Sequence, residues 1–400
     1  MEYFVLASVG LAFLAYSVSI RQLEIVEITG PMFFVLVGML IAYMMPTSVT
    51  SKAEFLQSDL DTLLPLIELT LSIFLFTDAA KTKISVLKHS FQYPSLLLFL
   101  ALPLTLFAGI VIASLMFTQL TLVQAGLIAI ILTPTDAALS KGLLSSEQVP
   151  EKIREGINTE SGLNDGLCVP VFLVLMLFAQ EPETSVSLAS IAGIFSRELV
   201  VAIVIAIVAM AMFIPLIKFA MKRHYFSNNT SPFLVIGMAM AIFSIAQCVH
   251  SSGFIAVFVA GLIFDRFTDK GLTEQLVEDS EHIADFTSLL IWCLFGYVCS
   301  YLVFPEINWQ VTVFAILSVT LLRIIPVMLS LQFTKLNIKE RFTFAWFGPR
   351  GLASIVFTLM VIDTQIENKY QIATVAMTTI LFSVFIHGMS TKPIADSYAK

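Results

Sequence analysis

Of the 400 residues, 58% are hydrophobic and only 13% are charged. A soluble domain carries about 25% charged residues, so this chain has too few to clothe a water-facing surface and reads as a membrane protein. The net charge of −7 excludes little alone, but no nucleotide-binding loop or basic nucleic-acid patch accompanies it.

Apolar stretches of about 18 or more residues recur about thirteen times. The first runs over 3–20 with no basic segment before it, and is expected to be a membrane span, not a removed leader. It is followed by spans at 29–45, 60–79, 92–117, 120–144 and 156–180. Val186 to Ser196 reads as interfacial, since Arg197 and Glu198 interrupt a run too long for one crossing. Further spans fall at 197–219, 231–250, 252–268, 283–303, 308–332, 340–364 and 370–390, with Asp265 to His282 read as a solvated acidic connector. The expected fold is therefore an all-α polytopic membrane protein, one membrane unit over residues 1–400. Cys168, Cys248, Cys293 and Cys299 lack metal-ligand spacing and are expected to be small core residues.

Charge placement tests this layout. The odd-numbered loops hold Arg21; Lys81, Lys83 and Lys88; Lys141, Lys152 and Arg154; Lys218, Lys222 and Arg223; Arg266 and Lys270; and Lys335, Lys339 and Arg341. The even-numbered loops hold Lys52 and Lys369. The positive-inside rule then puts the N-terminus outside and the C-terminus, with Lys392 and Lys400, in the cytoplasm. Arg197, Arg323 and Arg350 remain, in or beside apolar segments.

An ionisable group in hydrocarbon costs at least about 2.5 kcal/mol, so each is a candidate for function. Asp78 closes the third span, Asp136 follows Thr133-Pro134-Thr135 in the fifth, and Glu160, Ser161, Asn164 and Asp165 open the sixth. On a helix, Glu160 and Asn164 share one face, and Ser161 and Asp165 another. Arg350, in Gly348-Pro349-Arg350-Gly351 of the twelfth span, is the expected partner of Glu160. Pro134 removes a backbone donor within the fifth span. Thr133 is expected to cap a new half-helix there, with Asp136 in its first turn. The twelfth span breaks at Gly348–Gly351, so the interruptions occupy the fifth place of two six-span units of opposite orientation, the arrangement that marks the substrate site of secondary transporters. Glu68, His250, Asp363 and His387 read as packing or interfacial polar groups near span ends, and Arg323 as a structural partner of a core carboxylate. Asp136 and Asp165 are different: two carboxylates on consecutive spans beside a helix break need a cation or a proton.

These residues give the chain a resemblance to sodium/proton antiporters of the NhaP type, the electroneutral branch of the cation:proton antiporter superfamily that includes the sodium/hydrogen exchangers. The motifs are Thr135-Asp136, Glu160-Ser161-Gly162-Leu163-Asn164-Asp165 and Gly348-Pro349-Arg350-Gly351. The resemblance implies Asp165 as the ion and proton carrier, with Asp136, Ser161 and the Thr135 main chain completing the oxygen shell for Na⁺. It implies a core cluster of Glu160, Asn164 and Arg350. Asp78 aligns with a position where some relatives place a glutamate, and Ala137 replaces a common proline. It further implies a moving bundle from 92–180 and 308–390, a dimerisation scaffold from 1–80 and 186–303, a homodimer in the cell membrane, and no cofactor. Hard cations take oxygen ligands, and the same carboxylates take protons, so the two compete for one site. Two other classes stay open. A potassium/proton antiporter or potassium-efflux protein uses similar parts. An intramembrane aspartyl protease also needs two membrane aspartates, but has Gly-x-Gly-Asp where this chain reads Gly162-Leu163-Asn164-Asp165.

Overall fold

The computed structural model describes residues 2–44, 60–81, 92–180, 188–225, 231–267 and 270–399, and among them every regular element is helical. Lys52, Lys83, Lys88 and Lys400 of the charge argument lie outside the described residues. Eight of the described helices are long and apolar enough to cross a membrane. These are α1 (Tyr3–Ile25), α3 (Leu63–Lys81), α4 (Gln92–Met116), α7 (Glu151–Gln180), α8 (Gly193–Lys222), α11 (Asp279–Leu302), α12 (Trp309–Ser330) and α15 (Lys369–Ser397). Shorter apolar helices fill the remaining expected spans: α2 (Gly30–Met44), α5 (Leu122–Ile131), α9 (Pro232–Cys248), α10 (Gly253–Phe264) and α14 (Leu352–Asp363). Two short helices complete the interrupted spans, α6 (Lys141–Leu144) beyond α5 and α13 (Ile338–Trp346) before α14.

Four expectations change. The expected interfacial stretch is helical from Leu188, as part of one continuous helix, Leu188–Lys222, within which Arg197 and Glu198 are simply helical residues; Val186 and Ser187 lie outside the described residues. The connector before His282 is helical from Lys270 as an extension of α11. Its Glu281 pairs with Lys81, so the charge is used at a helix surface. His387 is 1% exposed in the interior of α15, not near a span end. Cys248 is exposed, while the other three cysteines are buried.

The chain forms two compact units. The first comprises Met1–Leu64, Gln92–Ser161 and Ser288–Lys400. Within it, glycine lets α2 approach the last part of α11: a Cβ on Gly38 would lie 1.9 Å from the Cys293 carbonyl oxygen, and one on Gly296 would lie 2.1 Å from that of Val35. Small residues permit such close helix contacts in membranes, where apolar burial supplies no driving force between helices. Its core joins Leu97, Ile153, Ile157, Val327, Leu331, Phe344 and Phe347, which brings α4, α7, α12 and α13 together. The second unit comprises Pro65–Phe91 and Gly162–Thr287. There Phe76 of α3 packs on Phe264 of α10, ring centroids 5.6 Å apart.

Candidate functional site

The site is built at the break of the fifth span. α5 opens with a reciprocal capping box between Thr121 and Gln124, and Gln124 Nε2 donates to the Glu367 carbonyl at 2.8 Å, fixing that end. The helix stops at Ile131, short of Pro134, whose ring disfavours helical geometry at the residue before it. Thr133 does not cap the second half of the span. Its hydroxyl donates back to the Ala129 carbonyl at 2.7 Å, and the chain stays irregular until a 3₁₀ turn at Ala138–Ser140. Asp136 therefore precedes the half-helix. It performs the capping role expected of Thr133, with Oδ1 accepting the Ala138 N–H at 2.8 Å.

The twelfth span breaks against the same carboxylate. α13 starts with a capping box of Asn337 and Glu340 and ends at Trp346. Phe347 to Gly351 is non-helical, and α14 starts at Leu352. The Leu352 N–H donates to Asp136 Oδ2 at 3.3 Å, and the Asp136 N–H donates to the Pro349 carbonyl at 2.9 Å. Asp136 thus accepts backbone N–H groups at the start of the 3₁₀ turn and at the start of α14. Glycine is required at 351, because a Cβ there would lie 2.0 Å from Asp136 Oδ2. Arg350, 2% exposed, sends Nη1 to the Thr133 carbonyl at 3.4 Å and Nη2 to the Ser318 carbonyl at 3.5 Å. Each break satisfies backbone groups of the other, which hydrocarbon cannot do.

The sixth span, α7, brings Glu160 and Ser161 to this crossing. The Ser161 hydroxyl donates to the Thr135 carbonyl, a short contact that joins two of the predicted ligands. Glu160 is 3% exposed and forms an ion pair with Arg323 of α12. Arg323 Nη1 and Nη2 reach Oε1 and Oε2 at 3.3 and 3.1 Å, and Nη2 also donates to the Phe347 carbonyl at 3.1 Å. Two arginines therefore brace the twelfth-span break, Arg323 at Phe347 and Arg350 from within. Arg323's presence in an apolar span was visible in the sequence, but its choice of partner was not.

Asp78, Asn164 and Asp165 belong to the second unit. Asp78 lies beside α7, its Cβ 3.4 Å from where a Cβ on Gly162 would be, three residues before Asp165. Asn164 is buried, and its Oδ1 accepts from Cys168 Sγ at 3.1 Å. Because α7 is helical throughout 151–180, Ser161 and Asp165 stand one turn apart on the same face. Burial separates the motif residues into two groups. Glu160, Ser161, Asn164, Arg323 and Arg350 are buried, whereas Asp78, Asp136 and Asp165 are partly exposed.

A multi-span helical protein whose fifth and twelfth spans are both broken and hydrogen-bonded to each other at the breaks has the architecture of a secondary transporter. The description "Sodium/hydrogen exchanger, transmembrane" applies to the family whose model matches residues 9–396, and the chain belongs to this family of transporters. It is 26% identical over 319 residues to the Na(+)/H(+) antiporter NhaH of Halobacillus dabanensis, covering 76% of this chain and 77% of the relative. It is also 26% identical over 293 residues to the protein of that name in Halobacillus aidingensis, covering 70% of each. Among solved structures, the sodium proton antiporter MjNhaP1 from Methanocaldococcus jannaschii superposes with a TM-score of 0.75 at 21% identity, over 100% of this chain and 98% of that one. The NhaP-type resemblance and the all-α polytopic fold are borne out.

Proposed function

We propose that the protein exchanges sodium for protons across the cell membrane, with Asp165 as the carboxylate that carries either species. One observation supports this above the others: Ser161, one helical turn before Asp165, donates to the Thr135 carbonyl at the break that Asp136 caps. Hydroxyl, freed carbonyl and carboxylate oxygens are the donors a hard cation accepts in place of water. The names of the relatives agree with this chemistry. Thr135, Asp136, Ser161 and Asp165 are the proposed sodium ligands, with Asp78 as an accessory carboxylate. Glu160, Asn164, Arg323 and Arg350 form the brace.

In this reading, protonation of Asp165 releases the cation and loss of the proton readmits it, so each gradient drives the other. The moving bundle is 92–180 with 308–390, and the scaffold, 1–80 with 186–303, carries the homodimer contact. The basic loops orient the N-terminus outside and the C-terminus in the cytoplasm. A potassium/proton exchanger is the second reading, favoured only by the generality of oxygen ligands. Dissipation of a preset pH gradient in proteoliposomes, on adding Li⁺, Na⁺, K⁺ or Rb⁺ in turn, decides between them. Dissipation by Na⁺ and Li⁺ is expected; a response to K⁺ and Rb⁺ alone would replace the sodium reading with the second. A response to none of the four would overturn exchange altogether.

A further inference from the structure

Behind the twelfth-span break, α15 carries a histidine that the proposed ion site does not use. His387 Nδ1 lies 2.9 Å from the Ser383 carbonyl oxygen and 3.0 Å from Ser383 Oγ. A carbonyl oxygen only accepts, so Nδ1 carries a proton and donates it. Ser383 Oγ in turn accepts the Arg350 N–H at 2.8 Å. That N–H belongs to the same peptide group as the Pro349 carbonyl, which accepts the Asp136 N–H at 2.9 Å. One rigid planar unit is therefore held from both sides, by α15 through its N–H and by Asp136 through its C=O. The His387 ring also packs on Trp346, centroids 5.7 Å apart, and Trp346 Nε1 donates to Ser390 Oγ at 2.8 Å. α15 thus grips the interrupted chain both before the break and within it.

We infer that His387 is a positioning residue, whose Nδ1–H orients Ser383 so that the Pro349–Arg350 peptide presents its carbonyl to Asp136. Packing alone would be served better by an apolar side chain. His387 is 1% exposed in the interior of α15. A polar ring is costly in a membrane interior unless it is hydrogen-bonded, and the Nδ1 contact to Ser383 supplies such a bond. The inference rests on the exchange reading, since its consequence is the geometry of Asp136 at the ion site.

The test measures apparent KM for Na⁺ and maximal rate in proteoliposomes for five proteins: wild type, His387→Asn, His387→Leu, Ser383→Ala and the combined Ser383→Ala/His387→Leu. An asparagine amide nitrogen sits near the Nδ1 position and donates to the same acceptors, so His387→Asn is expected to keep KM within about twofold. His387→Leu removes the Nδ1–H donor and Ser383→Ala removes the acceptor of the Arg350 N–H, and each is expected to raise KM about fivefold, with maximal rate changed less than about twofold. The combined variant is expected to go no further, as residues in one network behave. An unchanged KM in either single variant, an additive pair, or His387→Asn as impaired as His387→Leu would overturn the inference. If His387→Leu yields no folded protein, Ser383→Ala and His387→Asn decide it by the same criteria. If wild type shows no exchange, the functional reading fails instead. The order of Tm values, with His387→Asn near wild type and the pair non-additive, then decides the positional link.

Discussion

Glu160 and Arg323 are 3% and 5% exposed, and both carboxylate oxygens meet the guanidinium. Removing one partner from a buried pair costs far more than neutralising both, because the remaining charge loses its compensation without regaining water. Arg323→Ala is therefore expected to lower stability by about 3–5 kcal/mol, and adding Glu160→Gln to recover part of it. Thermal unfolding in detergent checks this; a double variant no more stable than Arg323→Ala would dismiss the pair as a structural element. Gly351→Ala makes a second test at this scale. Its methyl group would meet Asp136 Oδ2 at 2.0 Å, so the carboxylate must leave the α14 N-terminus. A loss of about 1–3 kcal/mol, the usual range for overpacking, should appear as a lower Tm together with weaker sodium-driven exchange. Unchanged exchange would mean that the carboxylate position is not critical. The buried character of Glu160 was legible from the sequence because an acidic residue in an apolar span must be paired. That Arg323 pairs with it was not, because a partner 163 residues away is chosen by the packing of α7 on α12.

The two interrupted spans were legible as elements because proline and glycine punctuate helices through their own covalent geometry. What begins after each break was not. Thr133 has the chemistry of a cap, but its hydroxyl is already engaged by the Ala129 carbonyl within α5. The capping role passes to Asp136, and only the other span supplies the N–H of Leu352 that completes it. Likewise, the polar stretch after Asp265 reads as a loop by composition, yet is helical from Lys270, with Glu281 paired to Lys81. Asp136→Ala should remove both caps and cost about 2 kcal/mol, from about 1 kcal/mol for each lost cap. Asp136→Asn keeps one carbonyl acceptor and should cost less. Unfolding of the two variants side by side makes the comparison, and equal losses would show that the carboxylate's hydrogen bonds do not hold the breaks together.

At the scale of the whole molecule, the fold was the most legible level, since span length and charge asymmetry are set by the bilayer and not by any one contact. In the proposed exchange, Asp165 is the group that carries the proton. Asn164 has no titratable group, Glu160 is ion-paired with Arg323, and Asp136 accepts backbone N–H groups at both breaks. One proton per cation is then expected, and the cycle moves no net charge. A membrane potential acts with about 2.3 kcal/mol per charge per 100 mV, so an imposed diffusion potential should leave the steady-state sodium gradient unchanged in proteoliposomes. A gradient that follows the potential would require a second proton, shared between coupled carboxylates. The central claim, that Asp165 is the exchanging group, is tested most directly by sodium-driven proton flux in vesicles containing purified wild type or Asp165→Asn. Asparagine neither titrates nor supplies the charge that offsets cation dehydration. The expected result is rapid flux for wild type and none above protein-free vesicles for Asp165→Asn, with both proteins folded by their Tm. Saturable sodium-driven proton flux in Asp165→Asn would contradict it.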